Sequence, residues 1–183
     1  MSLARDTSQV IKGPRKVYVV ISNTEYELGF TRGGIQFRMS EVQTYDVDTD
    51  QVGTIDTVIE SNSARITIPL LQWSMSILDA IMPWSVLTTG ADGAQKLEVG
   101  SCRGYSLRQY AVPLILRPES KTASDKSEDI KFWLAVPVEP QEITFNSQGS
   151  NEVINTVWRA FPDTTLALDK NLYVIGDPAV TAA

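Results

Sequence analysis

Histidine is absent from the sequence, and cysteine occurs once, at Cys102. Without an imidazole there is no histidine general base, no Ser-His-Asp or Cys-His pair, and no imidazole metal ligand. A single cysteine forms no internal disulfide and no cysteine-rich zinc site. Long apolar runs are also missing. Stretches such as Val17 to Ile21 are too short to cross a bilayer, so no membrane association is expected. The N-terminal MSLARDTSQVIKGPRK holds no apolar core of a secretory signal. A lone cysteine without a signal points to synthesis in a reducing cytoplasm. Positive charge is in the minority: 16 Lys and Arg face 22 Asp and Glu, a net charge of −6. Such a chain is poorly suited to gripping nucleic acid through its phosphates.

What is present describes a globular protein. A length of 183 residues fits one domain with short arms, and 43% hydrophobic residues suffice for a packed core. Residues 1–15 are polar, end in Gly13-Pro14 and read as an N-terminal arm; the domain then spans 16–176, and 177–183 form a small-residue tail. Lys16 to Ser22 is rich in β-branched and aromatic residues, as strands are. Ile35, Phe37 and Met39 alternate with polar residues, the period of a half-buried strand. Alternation returns over 64–71, where Pro69 argues for an edge or a bulge. Further strands are expected at 105–116, 130–138, 152–161 and 166–175, with a charged loop from Glu119 to Asp129. One helix is expected over about 73–82: Trp73, Ile77, Leu78, Ile81 and Met82 keep a 3.6-residue period, Ser74 can cap the start, and Pro83 marks the end. Short strands with turn signals and a single helix predict a mainly β fold, a β-sandwich or half-barrel with one flanking helix.

Three constellations could carry chemistry. Residues 41–60 hold Glu41, Asp46, Asp48, Asp50, Asp56 and Glu60 with no Lys or Arg, and read as a long β-hairpin or loop. Asp46, Asp48 and Asp50 resemble the start of a calcium loop. However, the sixth and twelfth positions hold Gln51 and Thr57 where an EF-hand needs Gly and Glu. The acidic run therefore reads as a solvated face or a contact surface. Gly29, Gly33 and Gly34 form a glycine-rich turn, but it leads into a strand rather than a helix, so a turn needing positive φ fits better than a phosphate cradle. Ser101-Cys102-Arg103 places a thiol near cations, yet no histidine can serve as its base, so an inert thiol is expected. No catalytic residue, metal site or cofactor is assigned.

Leu28-Gly-Phe-Thr-Arg-Gly-Gly-Ile-Gln-Phe37 is followed by the acidic β-region, by Arg65-Ile-Thr-Ile-Pro-Leu70, by a short amphipathic helix and by Met82-Pro83. This ordered set over residues 16–85 resembles the major tail tube proteins of long-tailed, siphovirus-type bacteriophages. The resemblance implies a non-enzymatic structural protein. Six copies form a ring whose inner sheets join into one barrel, and rings stack into a tube that conducts double-stranded DNA from capsid to host without tight binding. It also implies partners such as tape measure, tail terminator and distal tail proteins, residence in the virion tail, and synthesis in the host bacterial cytoplasm. The inner tubes of contractile tails and secretion systems share the architecture. On this reading Glu41, Asp46, Asp48, Asp50, Asp56 and Glu60 line the lumen or join rings. Residues 1–40 sum to +3, so Arg5, Lys12 and Arg15 are candidates for an arm that attracts a neighbour's acidic hairpin. The rivals outside this class are a β-sandwich ligand binder using Trp133 or Trp158 as an aromatic platform, and a hydrolase using paired carboxylates, for which nothing singles out a pair.

Overall fold

A computed structural model of the chain describes residues 13–50, 52–72, 74–101, 103–138, 142–143 and 153–181. Among these, eleven antiparallel strands and one α-helix are found: β1 Arg15–Ile21, β2 Thr24–Glu27, β3 Gln36–Thr49, β4 Gly53–Leu70, α1 Met75–Ile81, β5 Ser85–Thr89, β6 Gln95–Val99, β7 Val112–Pro118, β8 Ile130–Pro137, β9 Glu142–Ile143, β10 Ile154–Phe161 and β11 Tyr173–Ile175. The main sheet runs β2-β1-β7-β8-β10-β4-β3, with β11 added to β8 and β9 to β10. Strands β5 and β6 form a separate hairpin. The fold is mainly β, as the alternating apolar patterns predict.

One face of the sheet makes the core. Register aligns Val17 with Leu116 and Val19 with Leu114. It also aligns Thr156 with Ile68, Trp158 with Ile66 and Ala160 with Ala64. All of these side chains are buried. A register shift where β7 passes β8 lets Ala135 and Phe132 both join this face. Pro113 lies at that shift, where a missing N–H costs no ladder bond. The sheet also curls over itself. Strands β3 and β8 are three steps apart, about 14 Å if flat, yet the rings of Phe37 and Phe132 meet edge-on at 5.1 Å. Tyr173 of β11 closes the cluster, 5.3 Å from Phe37.

Helix α1 covers the core with Leu78 and Ile81, which the sequence period places on one side. The Ser74 hydroxyl accepts from Ile77 N at 3.2 Å, satisfying a first-turn amide. The helix stops before Pro83, within the span expected. Trp73 lies outside the described residues.

Two strand expectations need correction. Of residues 166–175 only Tyr173–Ile175 pair. Before them local turns win: Asp163 caps Thr165 through both amide and hydroxyl, and Lys170 N donates to Ala167 O. Within 105–116, Leu107–Tyr110 form a 3-10 turn, and the strand begins at Val112. Pro69 lies inside β4 rather than at a sheet edge, but β3 has already ended at Gln36 on that side. There Arg32 N donates to Pro69 O at 3.0 Å, so the proline nitrogen faces a loop rather than a ladder. Among the described residues no helix is long and apolar enough to cross a membrane.

Candidate functional site

The longest feature is a ribbon made by the outer halves of β3 and β4. Pairing extends from Glu41 opposite Ser63 to Thr49 opposite Gly53. Between Ser40 and Asn62 no described residue is buried. The ribbon therefore leaves the sheet and stands in solvent on both faces. Register shifts at Arg38/Glu41, Gln43/Thr44 and Val47/Asp48 bend and twist it. Its apolar residues nevertheless lie on both faces, Val42 and Ile59 on one and Tyr45 and Val58 on the other. Met39, Val42, Tyr45, Val52, Ile55 and Ile59 are all exposed, from 45% at Val42 to 78% at Val52.

The acidic residues divide between the two faces. Asp46 and Asp48 share one face, where they accept from the Thr57 and Thr54 hydroxyls at 2.8 and 2.7 Å. Glu41 points to the other, its Oε1 3.2 Å from Arg65 Nε and 3.6 Å from Arg38 Nη1. Asp56 also lies on that second face, opposite Val47, and caps the Thr57 amide at 2.8 Å. Asp50 sits at the tip, and Glu60 is the extra residue at a register shift. The six acids are thus brought together on one projecting element but not into one cluster. Among the described residues no three acidic or thiol side chains converge to hold a metal ion.

Gly29, Gly33 and Gly34 adopt φ of +87°, +86° and +85°. Two successive left-handed residues at 33 and 34 suit glycine, whose missing Cβ removes the steric cost. Arg15 opens strand β1, and its Nη1 donates to Leu116 O at 3.1 Å and Glu128 O at 2.8 Å. Partial burial lowers its pKa, against the opposing pull of Glu128 and Asp129. Its guanidinium is thus held by its own chain. Arg5, Lys12 and Cys102 lie outside the described residues. Trp158 is fully buried, its Nε1 donating to Thr156 Oγ1 at 3.1 Å. Trp133 is half-buried, donates to Lys170 O at 3.0 Å and is covered by Lys131 at 4.8 Å. Trp158 thus offers no ring face, and Lys131 occupies one face of Trp133.

Sequence reasoning missed two charge constellations. On the sheet face away from the core, Arg117 is buried against Tyr18 and grips two carboxylates. Its Nη2 and Nε donate to Asp129 at 2.8–3.2 Å, and its Nη1 donates to Glu25 Oε2 at 2.9 Å. Bonds to Glu25 and then Asp129 raise its pKa despite burial. The second is a row of arginines: Arg38 is opposite Arg65 in the register, and Arg65 is opposite Arg159. Their sequence separations hide both groups; only strand register brings the members together. A scan against protein-family models finds no match, and a search of curated proteins finds none either.

Proposed function

We propose that the protein is a structural, non-enzymatic subunit that assembles with copies of itself into hexameric rings, which stack into a hollow tube of the bacteriophage tail type. The observation carrying this reading is the ribbon at residues 40–61. A two-stranded hairpin alone is marginal in water, and this one exposes five large apolar side chains, Val42, Tyr45, Val52, Ile55 and Ile59, with a charge of −6. A second surface that covers it supplies the burial it lacks. Among the described residues the curled sheet ends in β2 and β3, with no further strand paired to the outer side of either. Unpaired edges are a liability in a monomer, and joining sheets between copies into a barrel removes it. The resemblance of residues 16–85 to tail tube proteins supports the same architecture. The acidic ribbon suits a conduit wall or a ring-to-ring contact, because carboxylates repel passing DNA rather than hold it. The Trp133 and Trp158 environments disfavour the ligand-binding alternative.

The ribbon adds nothing to the core, so excision separates folding from assembly. Replacing residues 45–58 by a two-residue Asn-Gly turn, which joins the paired Thr44 and Ile59, is expected to leave the circular dichroism spectrum and melting of the monomer close to wild type. Ring and tube formation, read by negative-stain microscopy, is expected to disappear. A ribbonless protein that still forms tubes would sink the assignment.

A further inference from the structure

Arg38 of β3, Arg65 of β4 and Arg159 of β10 stand side by side across three neighbouring strands. They occupy the face opposite Ile66 and Trp158. Like charges directly opposite one another destabilise a sheet, and here the pairing occurs twice within about 10 Å. Glu41, at the ribbon base, is ion-paired with Arg65 and Arg38, so among the described residues it bridges two members of the row. Arg159 lies 5.7 Å over the Phe161 ring, and its Nε is buried with no hydrogen-bond acceptor among the described residues. Beside the row opens a groove of about 710 Å³, walled by Arg159, Lys170 and Pro162 and bordered by Leu168, which is 92% exposed. The groove also carries Glu60 and Asp169, so its positive end is the arginine end.

We propose that the arginine row receives the acidic ribbon of a second copy of this chain. The inference rests on the reading that copies of the chain assemble. Charge complementarity selects the occupant. Residues 41–60 carry −6, equal to the whole net charge, so the rest of the chain sums to zero. The ribbon reaches about 30 Å from Glu41 to Asp50, far enough to lie across a neighbour. Asp46 and Asp48 on one face offer carboxylates to the row, while Ile59 on that face offers an apolar contact for the Leu168 edge. Donor and acceptor lie at different places on one chain, so each copy gives a ribbon and receives one. Such a head-to-tail contact propagates and is the kind that builds rings or stacks. A polyanion such as DNA is the poorer occupant: three guanidiniums give weak, salt-sensitive binding, and the net negative chain repels it.

Two charge-reversed full-length proteins test this: Arg65→Glu/Arg159→Glu in the row, and Asp46→Lys/Asp48→Lys in the ribbon. Each alone is expected to raise the critical concentration for assembly by at least about tenfold in sedimentation velocity, because like charges then meet. Mixed in equal amounts they are expected to co-assemble, since each ribbon meets a row of opposite sign. Restored assembly also shows that both variants fold. Arg65→Gln/Arg159→Gln, a milder pair, is expected to weaken assembly and flatten its dependence on salt. Wild-type assembly with both reversed variants unaffected would overturn the inference while leaving the assembly reading intact. Failure of the mixture, with both variants folded by circular dichroism, would also overturn it. If only the row variant loses binding to a short DNA duplex in fluorescence anisotropy while assembly is unchanged, the face is a nucleic-acid surface and the inference fails. A wild-type chain that never assembles overturns the functional reading itself.

Discussion

Replacing Arg117 by Met tests how far a buried ion network supports this sheet. The Arg117 and Asp129 side chains are only 2% and 3% exposed, whereas Glu25 is 32% exposed. Deleting the guanidinium leaves Asp129 buried without its partner, a loss of about 3–5 kcal/mol for a broken buried pair. Asp129→Asn leaves Arg117 paired with Glu25 and is expected to cost about 2–3 kcal/mol, the range for hydrogen bonds to a charged group. Glu25→Gln, with its carboxylate partly in water, is expected to cost about 1 kcal/mol or less. The double variant Arg117→Met/Asp129→Leu removes both buried charges and is expected to be more stable than Arg117→Met alone. Urea unfolding at neutral pH, followed by tryptophan fluorescence at a concentration where the chain is monomeric, measures all four. For a chain of this size Arg117→Met lowers Tm by roughly 10 °C. The reasoning is refuted if Arg117→Met costs no more than Glu25→Gln, or if the double variant loses the sum of the single losses.

Other outcomes follow from single contacts. Thr156 receives the Trp158 Nε1 proton and donates to Ile68 O at 3.0 Å. Thr156→Val strands both groups in the core and is expected to cost about 1–3 kcal/mol in the same urea assay, while Thr156→Ser keeps the bonds and costs less. Ser22 and Asn23 join β1 to β2 with φ of +49° and +63°. The double substitution Ser22→Asn/Asn23→Gly suits this left-handed turn and is expected to raise stability by about 1 kcal/mol; unchanged or lower Tm would contradict the turn assignment. Lys121, with help from Ser127, holds the Asp125 carboxyl below its ordinary value of 3.8. Because the folded pKa is depressed, the contribution of Asp125 to stability is present above that ordinary value and is lost as pH falls through the lower folded one. Carboxyl titration by NMR should place Asp125 below its ordinary value of 3.8. Lys121→Met should move it upward, and no movement would dismiss the pairing.

The buried half of this fold was legible in its alternating residues. Ile66, Ile68 and Leu70, the 154–161 run and the Ser74-capped helix carry periods that packing requires. Strands β2, β5 and β6 were not legible: TEYE, SVLTT and QKLEV are mostly exposed, so no core contact imprints a pattern on them. Residues 166–172 misled in the opposite sense, because Leu166 and Leu168 alternate as strand residues do while Asp163 and Lys170 close local turns. The acidic ribbon could be read as a hairpin from composition, but its complement could not. Arg38, Arg65 and Arg159 become neighbours through pairing between β3, β4 and β10, and Arg117 meets Glu25 across 92 residues of chain.

Negative-stain microscopy of the purified wild-type chain over a range of concentration and salt tests self-assembly through the ribbon most directly. Ring-shaped particles that stack into hollow tubes are predicted, growing with concentration. Monomers that persist under every condition would contradict the account.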